Sequence, residues 1–224
     1  MGEEYKRDNN IISTVPMSGT VCLHDDFEFG NQWTCSGYGD RPEVDLQTQY
    51  SYSKGCALYL KGGSTGGAPD DSIKASRRMF IVPKDIFTVE IIFQFVSPTY
   101  LKCFLVDVDY SYIGHYKYIG IQYDKTTNKW YVKTDSSTYT VIDDVARYIR
   151  WSQWNKLSWS FNVSTNKYIN LIVNEHIYDL RAFSFEDVNT GTYSRSEISI
   201  EATTVDGNTV DFILDEVNVF GRNS

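Results

Sequence analysis

The chain has 224 residues, with 21 Lys plus Arg against 29 Asp plus Glu and a formal net charge of −8. That balance repels phosphate backbones, whose binding draws on clustered Lys and Arg, so no nucleic-acid partner is expected. No apolar run nears the roughly 20 residues that a membrane-spanning helix needs, so an integral membrane protein is not expected either.

Aromatic residues make up 15% of the chain, including 17 Tyr, and the length suits a single large β domain. Residues 1 to 20 hold Pro16 and Gly19 without a sustained period, which predicts an N-terminal tail or an added edge strand. The opening "MGEEYKRDNN" lacks the apolar stretch of a secretory signal, which fits a cytoplasmic chain or a processed fragment. Next, "LHDDFEFGNQW" gathers Asp25, Asp26 and Glu28 around two phenylalanines. Cys22, Cys35, Cys56 and Cys103 have no C-x-x-C spacing, which removes the usual zinc and thioredoxin-like readings. Four buried thiols are expected, with a Cys22–Cys35 pair left open. Asn162 opens a glycosylation sequon by pattern only.

Strands then follow one another. "CALYLKGG" stops at the Gly/Ser/Pro/Asp stretch "GGSTGGAPDDS". "FTVEIIFQFV" alternates Phe87, Val89, Ile91, Phe93 and Phe95 against Thr88, Glu90 and Gln94, predicting a half-buried strand. "LKCFLVDVDY" follows, and "YKYIGIQYD" and "KWYVKTD" flank the hairpin connection "KTTN". "LSWSFNVS" and "YINLIVNEHIYDL" pair across "TNK". Leu157, Trp159, Phe161 and Val163 share one face, Ile169, Leu171 and Val173 share another, and the two sets are expected to pack across the same core. "EISIEATT" and "DFILDEVNVF" close the chain around the Asp-Gly turn of "VDGNT". One or two helical turns at most are predicted, in "DDVARYIRW" or "SFEDV". The pattern predicts an all-β, antiparallel sandwich or barrel, with residues 21 to 224 as one domain.

Period two also defines a candidate binding face. With Ile119 and Ile121 inward, Tyr116, Tyr118 and Gln122 point outward; with Trp130 and Val132 inward, so do Tyr131 and Lys133. Rings beside amide and charged groups suit sugar, stacking on its C–H faces while the polar groups take its hydroxyls. Tyr112 and His115, in "YSYIGHY", stand at the predicted rim. Plain cross-strand pairing of tyrosines explains the same pattern equally well.

The order of "DDFE…NQW", "SKGCALYLKG", "SRRMF", "WNKLSWSFN", "YINLIVNEHIY" and "FILDEVNVF", over residues 22 to 221, resembles the concanavalin A-like lectin/glucanase jelly-roll superfamily. Within it the chain looks most like carbohydrate-binding modules and laminin G-like domains. The resemblance implies a two-sheet antiparallel β-sandwich that binds a glycan or polysaccharide without catalysis. It implies an extracellular or secreted protein, as a monomer or as a module of a larger one. It also implies a structural calcium held by Glu28, Asp215 and the backbone carbonyl of Lys54, with Asp26 and Asp211 in reserve. Calcium takes six to eight oxygen ligands, which carboxylates and carbonyls supply, and gathered carboxylates without a cation repel one another. The alternative is that these acids only solvate strand ends.

Two other functions share the fold: a polysaccharide-degrading enzyme, and a laminin G-like adhesion or structural domain. The E-x-D-x-x-E or E-x-D-x-E strand of retaining glucanases is absent. Asp107 and Asp109 alternate in "DVD" without its glutamates, and the Gln-x-His strand expected of a lyase does not occur. No catalytic residue is therefore named.

Overall fold

The computed structural model describes residues 20–27, 32–37, 43–47, 51–53, 55–63, 71–79, 83–112, 114–142, 148–189, 196–205 and 208–224. In chain order the strands are β1 (Thr20–Asp25), β2 (Thr34–Gly37), β3 (Glu43–Gln47), β4 (Ala57–Gly63), β5 (Ser72–Met79), β6 (Ile86–Phe95), β7 (Leu101–Tyr112), β8 (His115–Asp124), β9 (Lys129–Lys133), β10 (Tyr139–Val141), β11 (Trp154–Asn162), β12 (Lys167–Val173), β13 (His176–Asp179), β14 (Asp187–Asn189), β15 (Ser196–Thr204) and β16 (Thr209–Arg222). The predicted tail lies outside the described residues except for Thr20, which opens β1.

Two antiparallel eight-stranded sheets pack face to face. The first runs β13-β12-β11-β6-β16-β4-β3 with β1 also on β16, and the second runs β10-β9-β8-β7-β15-β5-β2 with β14 also on β8. The fold is thus the predicted all-β sandwich. Alternate residues of each sheet meet in one core, where Trp130, Trp159, Tyr168, Phe93, Phe104 and Phe212 are buried. Burial of such side chains contributes about 1.5–3 kcal/mol each and dominates stability. Among the described residues no helix is long and apolar enough to cross a membrane.

Four local expectations are corrected. The 3-10 turn Pro98–Tyr100 is the one helical element among the described residues. "SFEDV" forms a bridge at Ser184 and the strand β14 instead, and Tyr148 to Trp151 are not helical while residues 143 to 147 lie outside the described residues. The outward face of β6, flanked by β11 and β16, is buried at Thr88 and Glu90 and half-buried at Ile92 and Gln94: Thr88 shares a hydrogen bond with Ser160 (2.8 Å), and Glu90 meets Lys156 (3.4 Å). Pairing of β11 with β12 steps from Ser160↔Asn170 to Phe161↔Tyr168, leaving Ile169 as the extra residue of a bulge. The bulge hands the inward position to Tyr168, so Ile169 is only half-buried. None of the four cysteines is in a disulfide, and Cys22 is buried as expected while Cys35, Cys56 and Cys103 are only half-buried.

Candidate functional site

The strand β7 stands opposite β8 and β15, and residues directly opposite in an antiparallel pair share a face. Core-facing Val106, Val108, Ile119 and Ile121 therefore turn Asp107 and Asp109 outward with Gly120 and Tyr118. On the other flank, Glu197, Ser199 and Glu201 stand opposite Asp109, Asp107 and Leu105. Lys74 and Arg78 of β5 stand opposite Glu201 and Glu197. Beyond β8, Tyr131 lies opposite Gln122 and Tyr139 opposite Lys133.

Lys133 organises the middle of this face. Its ammonium donates to Asp107 Oδ2 at 2.7 Å and lies 5.9 Å from the Tyr118 ring centroid and 5.6 Å from that of Tyr139. The residue is only 8% exposed, so ion pair and cation–π contact act in a partly dried setting where both are strengthened. The Tyr139 hydroxyl donates to Asp107 Oδ1 at 3.0 Å; burial, then the Asp107 charge, pushes its pKa up. Gly120 makes room for this: a Cβ there would fall 2.0 Å from Asp107 Oδ1. Burial pushes the Asp109 carboxyl above the usual carboxylate range, and the Asp107 charge adds to this, while a hydrogen bond from Tyr116 opposes it.

Of the predicted ligand residues, Tyr116, Tyr118, Gln122, Tyr131 and Lys133 share this face. The rings of Tyr116 and Tyr118 meet edge to face at 4.7 Å, and the Tyr131 hydroxyl shares a 3.0 Å hydrogen bond with Thr127. The other two lie elsewhere. Tyr112 packs against the core, and exposed His115 meets Asp187 at 2.9 Å. That carboxylate also accepts from Lys117 (2.5 Å), which reaches Asn166 (2.6 Å). Burial opposes ionisation of Asp187, but the bonds from Lys117 and His115 outweigh it and hold its pKa down.

The periodic reading missed Tyr139, Gly120, Glu197 and Glu201 as parts of the face. The alternation of Glu197, Ser199 and Glu201 in "EISIEATT" was a usable signal. Tyr139 carried none, because it belongs to a three-residue strand.

The first and last strands, β1 and β16, run side by side. Asp25 of β1 stands opposite Val217 of β16. Two residues before Val217, Asp215 is the extra residue of a bulge between Leu214↔Phe93 and Glu216↔Ile92. Its fully buried carboxylate accepts from the Tyr52 N–H (2.7 Å) and the Ser53 N–H (3.2 Å). Glu28 and Lys54 lie outside the described residues. Among the described residues no group of three or more His, Cys, Asp or Glu gathers as metal ligands. Of the reserve acids, Asp211 accepts from the Tyr59 hydroxyl (3.0 Å) and Asp26 lies 3.8 Å from His24. Asp25 takes a structural part: it accepts from the Phe27 N–H and Trp33 Nε1, each at 2.8 Å, and pairs with Arg77.

No protein-family model and no curated protein matches the chain. Solved structures do resemble its fold. One is described as a carbohydrate recognition domain of Emp47p, at TM-score 0.53 and 10% identity over 86% of this chain and 89% of that one. Another is described as a conserved carbohydrate esterase from the Shiga toxin-encoding bacteriophage phi24B, at TM-score 0.53 and 12% identity over 92% of this chain and all of that one. A third is the cellulose-induced protein Cip1, at TM-score 0.50 and 13% identity over 88% of this chain and 96% of that one. The likeness is one of fold, an antiparallel jelly-roll sandwich of the concanavalin A-like type.

Proposed function

We propose that the outward face of β8 to β10 and its neighbour β7 binds a glycan without transforming it. The observation that carries this is the cluster of Lys133, Asp107, Tyr118 and Tyr139: aromatic rings beside a fixed donor and a fixed acceptor. That combination stacks on a sugar ring and takes its hydroxyls. A similar fold described as a carbohydrate recognition domain supports the reading. Isothermal titration against a panel of oligosaccharides tests it. Binding should weaken about tenfold, or ~1.4 kcal/mol, on Tyr118→Ala or Tyr131→Ala. Failure of every oligosaccharide to bind would remove the proposal.

A structural calcium belongs to the same reading, with Asp215, Glu28 and the Lys54 carbonyl as its ligands. Its support is the juxtaposition of β1 and β16 and the burial of Asp215 beside residues 52 and 53. Such an ion would tie the chain's two ends together. Hydrolysis of the glycan is the second reading, favoured by one observation: Asp109 and Glu197 stand directly opposite each other on this face. Release of reducing ends from the same panel separates the two.

A further inference from the structure

The face is balanced in charge almost residue for residue. Lys133 is held by Asp107, while Lys74 stands opposite Glu201, Arg78 opposite Glu197 and Lys129 opposite Asp124. Among the described residues of the face, each cation therefore has a carboxylate against it, and Asp109 is the acid left over. A ligand carboxylate or sulfate would compete with a facing carboxylate for each of these cations, and it would lie against a surplus acid. Desolvating such an anion without a partner is costly.

An uncharged sugar meets the opposite situation. Lys133 has three ammonium protons, one of them committed to Asp107, and of about four acceptor positions on the Asp107 carboxylate Lys133 and Tyr139 take two. The two groups, 2.7 Å apart, present a donor and an acceptor side by side beneath the rings of Tyr118 and Tyr139. Adjacent hydroxyls of a pyranose offer the complementary set.

We infer that this face selects uncharged glycans, reading a vicinal pair of hydroxyls through Lys133 and Asp107, and that Gly120 is the position that lets Asp107 lie there. The inference rests on the glycan-binding function proposed above. Any side chain at residue 120 would displace the Asp107 carboxylate, since even a Cβ would stand 2.0 Å from its oxygen. The atom that must move is the end of a side chain, not backbone, so Gly120→Ala is expected to fold.

The test is titration of the full chain with cellohexaose and mannohexaose, in parallel with oligogalacturonate and a sulfated hexasaccharide of matching length. Circular dichroism checks the fold of each variant. A neutral hexasaccharide should bind at least about tenfold more tightly than either anion, and lowering the salt should not help the anions. Gly120→Ala and Asp107→Asn should each weaken neutral binding about tenfold. Tighter binding of an anionic oligosaccharide would overturn the selectivity while leaving glycan binding intact. Unchanged neutral affinity in a folded Asp107→Asn would overturn the role given to the ion pair. If no oligosaccharide of either kind binds, glycan binding itself is refuted, and the selectivity with it.

Discussion

Asp215 Oδ1 lies 2.7 Å from the amide nitrogen of Tyr52, 163 positions earlier in the chain. The carboxylate sits in a bulge of β16 at the point where pairing passes from β4 to β1, and so holds the residue 51–53 segment onto the strand. Asp215→Ala should destabilise the fold by about 1–3 kcal/mol for each backbone donor left orphaned. Asp215→Asn, which keeps one oxygen, should cost less. Chemical denaturation measures both. The calcium proposal adds a second readout: added calcium should raise the wild-type midpoint, through a gain in stability of about 2.7 kcal/mol at a hundredfold excess over Kd. It should leave Asp215→Ala unmoved. A wild-type midpoint indifferent to calcium and chelator would end the metal proposal without touching the hydrogen-bond prediction.

Asp109 should reveal itself through pH. Its folded pKa is raised, chiefly by burial, so its favourable contribution is complete below the ordinary aspartate value near 4 and is lost as pH rises through the folded value. Asp109→Asn abolishes that loss. The variant should gain on the wild type as pH rises above about 4, when melting temperatures are compared in steps upward from there. A constant difference at every pH would contradict the raised carboxyl.

Asp187 should behave in the opposite sense. Burial works against its charge, but Lys117 and His115 lower its folded pKa, so its contribution is present above about pH 4 and disappears as pH falls through the folded value. Asp187→Asn should flatten the acid side of the stability profile while costing stability at pH 7. The loss at pH 7 should include the buried Lys117 ammonium, which keeps only Asn166 as its partner. An acid limb identical to that of the wild type would show that other carboxylates govern it.

The parts of this architecture that could be read in advance are those where a local period meets a single buried face. "FTVEIIFQFV" placed its phenylalanines in the core because five alternate positions agreed, and Ile119, Ile121, Trp130 and Val132 set the outward side of the hairpin in the same way. Burial of Thr88 and Glu90 was not legible, because it depends on β6 being central, a matter of topology rather than of period. Nor was the shift at Ile169, since a bulge changes parity through one inserted residue whose cost and benefit lie on the facing strand. Within the site, tyrosine parity was visible but the hub was not. Asp107, Gly120, Lys133 and Tyr139 come from four strands, and the role of Gly120 exists only because the Asp107 carboxylate crosses above it.

Tyr168 supplies the sharpest stability test, because it repairs a split in the second sheet. Along one edge of β8, β9 covers residues 121 to 124 and β14 covers residues 115 to 117. Between them the Gly120 N–H donates to the Tyr168 hydroxyl (3.0 Å), which in turn donates to the Lys133 carbonyl (2.7 Å). The ring belongs to β12 of the opposite sheet and is fully buried. Tyr168→Phe keeps its volume and ring contacts but strands a buried amide directly beneath the Asp107 and Lys133 pair. A loss of about 1–3 kcal/mol is expected, or roughly 2–4 °C of melting temperature per kcal/mol for a chain of this size. Amide hydrogen exchange at Gly120 should accelerate in parallel, because its acceptor, the Tyr168 hydroxyl, is gone. Glycan affinity should fall less than in Asp107→Asn, since the ion pair remains. A stable variant with a still-protected Gly120 amide would mean that another group closes the gap.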